Sequence, residues 1–200
     1  MRLDIMGQTG LRITLMKINL LSLFTKKKIQ SDFPIGQFSA LPKEEGGYPL
    51  FLPMEKSDVH AHSAQFMIKP EDLSVIEHLI ELFFHGALRI NEEKEKIVYH
   101  NKTLICYRFT EFGQIIVKVI TNDNDFVKCL CDKGLEPPEP ESVFPDKDFG
   151  NYGSLQGDIV FWWDVYWEPF WKSLNERERN EYLGRSNFSD DIVEFLKFHG

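Results

Sequence analysis

Two hundred residues with 42% hydrophobic and 14% aromatic content can fill one well-packed domain, and 27% charged residues suit a protein in water. A net charge of -8 opposes a phosphate backbone, so general nucleic-acid binding is not expected; it suits a basic partner instead. Three cysteines (Cys106, Cys129 and Cys131) form no disulfide framework, and together with the acidic balance they lead us to expect a cytoplasmic protein.

Residues 13 to 24 are apolar but broken by Lys17 and Asn19 and followed by Lys26, Lys27 and Lys28, too short and too polar a run to span a bilayer. Met16 offers a second start, so residues 1–30 are read as an extension plus a first element, and 31–200 as a single α+β domain. Between 31 and 53, Pro34, Gly36, Pro42, Gly46, Gly47, Pro49 and Pro53 predict a winding loop with short extended pieces.

The next segment predicts a helix over 70–84. Pro70 suits a first helical position, Glu71 and Asp72 favour the positive end of the dipole, and Leu73, Ile76, Ile80, Phe83 and Ala87 share one face. Gly86 is the expected left-handed stop. Strands are predicted over 96–100, 102–109 and 114–121, and their short connections favour an antiparallel meander with helices packed on it. A short helix capped by Asp123 or Asn124 follows, then an exposed, acidic, proline-rich loop over 135–150. Residues 157–161 read as a strand. Asn175 with Glu178 predicts a capping box, and Ser189 caps a last helix whose apolar face is Ile192, Val193, Phe195, Leu196 and Phe198.

Three features bear on chemistry. All four tryptophans fall within residues 161–171, where strand spacing and helix spacing both align aromatic residues. Such density serves either as core or as a recognition surface, in which case Trp162, Trp167 and Trp171 would be contact residues. Asp158, Asp164 and Glu168 beside them exclude base stacking against a phosphate chain. His60 and His62 would share one face of a strand and are weak metal candidates, with no spacing that supplies further ligands. Cys106 lies mid-strand, a packing position for a thiol. No nucleophile elbow, phosphate loop or dinucleotide fingerprint is present, so no cofactor is expected.

Charge supplies the remaining lead. Residues 122 to 148 carry eight acids against three lysines, which nominates Glu136, Glu139, Glu141, Asp146 and Asp148 as contacts for a basic protein. In size and acidic composition the chain resembles bacterial toxin-immunity proteins. That resemblance implies a non-enzymatic monomer or weak dimer that neutralises a toxin domain by covering it. Two other readings stay open: a small metal-dependent hydrolase using His60 and His62, and a regulatory or structural subunit docking through its aromatic segment.

Overall fold

Four β-branched residues in the run Ile115–Val119 mark the strand on which the architecture is hung. The computed structural model describes residues 29–34, 47–54, 59–151 and 155–200. Among them are five strands: β1 (Leu52–Pro53), β2 (His62–Ile68), β3 (Glu95–Tyr99), β4 (Lys102–Glu111) and β5 (Gln114–Thr121). They form one open antiparallel sheet in the order β1-β2-β5-β4-β3, so the expected meander β3-β4-β5 is extended past β5 by β2 and β1. With seven α-helices from residue 73 onward among the described residues, the chain is an α+β domain, as its pattern predicts. The predicted extension, apart from residues 29 and 30, lies outside the described residues.

The β4–β5 hairpin turns on Phe112 and Gly113, at φ 52° and 72°. Two positive-φ positions are what a two-residue turn with the twist of its strands requires. Phe112 is an uncommon residue there, and its ring packs on Phe144 and Phe161, at 5.3 and 6.2 Å between centroids.

Registers put Ala64, Phe66, Leu104, Cys106, Val117 and Val119 on one face of the sheet, all buried in the main core. That core also takes in α1 (Leu73–Phe84), entered through a 3-10 turn at Pro70–Asp72, and α2 (Asn124–Cys131). The helix ends one residue before the expected stop: His85, not Gly86, takes the left-handed conformation, and its ring lies 4.5 Å from that of Tyr99. Its buried face is Ile76, Leu79, Ile80 and Phe84, with Leu73 and Phe83 half-buried and Ala87 exposed. On the other face, Ile105 and Ile120 meet Phe33, Val59 and Ala61 in a small second core.

The segment 157–161, predicted as a strand, is helical instead. There the chain forms α4 (Asp158–Trp162), a π-helical turn (Trp163–Trp167) and α5 (Glu168–Ser173) in succession. Ile159, Trp162, Trp163 and Tyr166 are buried, the spacing of a helix face, so tertiary burial overrides the local strand preference. The π turn has a local cause. Pro169 has no N–H to give Val165 and its ring would press on that carbonyl, so the coil widens just before the proline.

The 135–150 segment is also corrected. It contains α3 (Pro140–Val143), and Leu135, Pro137, Pro138, Pro140, Val143, Phe144 and Phe149 are buried. Phe144 meets Trp162 edge-on at 5.6 Å and Phe149 meets Phe195 at 4.9 Å. Three of its four prolines and both its aromatics turn inward, Pro145 stays exposed, and only some of its acids face out. The predicted capping box forms at Asn175, opening α6 (Glu176–Arg185), and Ser189 caps α7 (Asp190–His199). In α7, Ile192, Phe195 and Leu196 are buried, whereas Phe198 is 73% exposed.

Candidate functional site

The tryptophans are core. Trp162, Trp167 and Trp171 are almost wholly buried, with Trp162 and Trp167 at 5.2 Å and Trp167 stacked on Trp171 at 6.5 Å. No partner can touch them without unpacking the C-terminal helices, which corrects their assignment as contact residues. The cause is the π turn, which puts Trp162, Trp163, Tyr166 and Trp167 against the body of the protein. Of that aromatic segment, Phe161 is the large ring left exposed, at 43%.

The histidines do not converge on a ligand set. His62 opens β2, opposite Thr121, and is buried, while His60 precedes the strand and is half-buried. Among the described residues no three His, Cys, Asp or Glu side chains are grouped as a metal would need. Cys106 sits in the core of β4 as its mid-strand position predicts, and burial pushes its thiol up to about 12. A thiol so placed is no nucleophile. In native protein at pH 8, we expect a thiol reagent to label the half-buried Cys129 and Cys131, and Cys106 only as fast as the protein unfolds. Stoichiometric labelling of Cys106 within the mixing time contradicts that placement.

The five acids separate into two groups. Glu136 is turned inward and paired with Arg185, with the Lys69 ammonium 3.5 Å away, so its charge is spent inside the molecule. Burial first, then the carboxylates of Glu136 and Glu139, hold the Tyr182 hydroxyl above its ordinary range. Glu139 itself is half-buried, and both are corrected as outward contacts. Glu141, Asp146 and Asp148 are exposed. Asp148 accepts the Gly150 N–H at 3.1 Å, and Gly150 lies so close to Asp191 that a Cβ there would stand 3.0 Å from its carboxyl carbon. The fold thus sets Asp148, one of the exposed acids of the 135–150 segment, beside Asp191 at the start of α7, more than forty residues away. That juxtaposition cannot be read from the sequence, where the Asp190-Asp191 pair looks only like favourable charge on a helix dipole.

A second feature was not anticipated. Between β1, β2 and the π turn lies a groove of about 450 Å³ with mainly apolar walls: Leu50, Leu52, Pro53, Met54, Val165 and Pro169. Ser63, Gln65, Lys118 and Asp164 are its polar groups. Near them, Gln65 Nε2 donates to the Tyr166 hydroxyl at 2.9 Å, and that hydroxyl donates to Glu111. Burial, reinforced by the bond to Glu111, keeps the phenol protonated well above its usual range, so it positions Gln65 and is a poor acid. Burial also lowers the Lys118 ammonium. No helix of the described residues is long and apolar enough to cross a membrane.

Comparison with known proteins finds no family model, no curated protein and no solved structure that matches this chain.

Proposed function

We propose that the chain is a non-enzymatic acidic binding protein of the immunity type, holding a basic protein partner such as a toxin domain. One observation carries the reading: carboxylates distant in sequence (Glu141, Asp146 and Asp148 from one segment, Asp190 and Asp191 from another) are exposed, and Asp148 and Asp191 flank a single glycine. Like charges so gathered repel one another and are relieved by a cationic surface. The aromatic core beneath is a rigid support for that surface, since Phe149 and Phe195 pack directly under the two acidic segments.

The test begins with basic proteins of the native host, retained on the immobilised chain at low salt and released as salt rises. With the partner so obtained, combined Glu141→Gln, Asp146→Asn, Asp148→Asn and Asp191→Asn substitution should slow association about tenfold or more at low salt, with dissociation changed much less. The gap should close at high salt, because screening acts on the long-range field. Equal association rates for the two proteins at every salt concentration would remove the acidic surface from the binding reaction, and with it this reading.

A further inference from the structure

The groove beside β1 contains a cation, Lys118, that forms no ion pair with the described residues. Lys118 projects from the central strand β5, directly opposite Gln65 on β2 and Tyr107 on β4. It is half-buried and makes no ion pair or hydrogen bond with the described residues. Asp164 lines the same groove but is exposed at its rim and forms no ion pair with Lys118. A charge drawn out of water and left unpaired is unfavourable. Leu50 and Leu52 on the wall remain 43% and 57% exposed, which is unfavourable in the same way. One ligand relieves both.

We propose that this groove is a binding site for a small-molecule carboxylate bearing an aliphatic chain. Lys118 receives the carboxylate through a charge-assisted hydrogen bond, with Ser63 beside it, and the chain lies against Leu50, Leu52, Val165 and Pro169. One ammonium matches one negative charge. A doubly charged phosphate would bring a second charge toward Asp164 with nothing to balance it. An added peptide strand is disfavoured because β1 has only two residues and one, Pro53, lacks an N–H to offer a neighbour. The volume of about 450 Å³ lies within the roughly 300–1,000 Å³ usual for small-ligand sites. The groove shares no residue with the acidic surface, so the two proposals stand or fall separately.

Octanoate, octan-1-ol and a leucine-terminated pentapeptide titrated into the full chain by calorimetry provide the test. Octanoate should bind one to one and saturate, with octan-1-ol at least about tenfold weaker because it cannot use the cation. Lys118→Met should weaken octanoate about tenfold or more and leave octan-1-ol unchanged, while Lys118→Arg should stay within about threefold of the natural protein. If Lys118→Met does not fold, the octanoate-to-octanol ratio and the Lys118→Arg variant decide. Absent saturation, equal affinity for acid and alcohol, or indifference to Lys118→Met each overturns the proposal. Saturable binding of the peptide with none of octanoate would reassign the groove to a chain terminus and overturn it as well.

Discussion

Replacing Trp167 with alanine should destabilise the protein by about 3–5 kcal/mol, lowering the thermal midpoint by roughly 6–20 °C. The side chain is fully buried, and its indole meets Trp162, Phe170, Trp171 and Tyr182 at ring distances of 5.2 to 6.5 Å. Alanine leaves a hole that four large rings, themselves fixed by other neighbours, cannot collapse into. Its N–H makes no hydrogen bond within the described residues, so Trp167→Phe loses volume but no polar partner. That substitution should cost only about 1–2 kcal/mol. Denaturant unfolding of both variants measures the difference. A Trp167→Ala protein with an unchanged midpoint but a faster-dissociating partner would return this residue to the surface.

What could be read from the chain depended on how local the deciding physics is. The strand over 114–121 and the caps at Asp123, Asn175 and Ser189 depend on a residue and its immediate neighbours, and each forms where the pattern puts it. The tryptophan segment is different. Its residues satisfy strand and helix spacing alike, and only the surrounding aromatic side chains, such as Phe144, Phe195 and Tyr182, select the helix. Proline and acid composition likewise suggested a solvated loop at 135–150, because composition does not reveal which side of an extended segment faces inward. Pro137, Pro138 and Pro140 carry no backbone N–H to satisfy, so they bury cheaply.

The candidate sites were legible in the same proportion. Glu141, Asp146 and Asp148 keep the exposure their sequence suggests, but their neighbours Asp190 and Asp191 arrive through tertiary contact between the Phe149 turn and α7. Glu136 looked equivalent to the others and is not, because Arg185 lies on a helix that packs over it. Lys118 gave no signal at all. It occupies one polar position in a β-branched run, the pattern of any half-exposed strand, and only the π turn standing over β2 converts it into the floor of a groove.

Asp123 should prove the most costly polar side chain to remove. Its carboxylate is buried, accepts the N–H groups of Asp125 and Phe126 at 3.1 and 3.3 Å, and lies 2.8 Å from the Lys102 ammonium. Its own N–H donates to Thr121 Oγ1, which donates in turn to the Thr103 carbonyl, while the Asn122 side chain ties the same point to Asn101 and Thr103. One residue thus joins the start of α2, the end of β5 and the β3–β4 turn. Asp123→Ala removes the cap and leaves Lys102 without its nearer carboxylate, and should cost about 2–4 kcal/mol. Asp123→Asn keeps a capping oxygen of equal quality and loses only the charge. Lys102 is one-third exposed, retains Asp125 at 3.9 Å and the face of Phe83 at 5.8 Å, and can turn toward water. The asparagine variant should therefore cost only about 1 kcal/mol. Hydrogen exchange should follow the same order, with amides of Asn124–Cys131 losing protection in the alanine protein and largely keeping it in the asparagine one. Two variants of equal stability would assign the whole effect to the ion pair; an alanine variant costing under about 1 kcal/mol would mean that this junction does not hold the helix to the sheet.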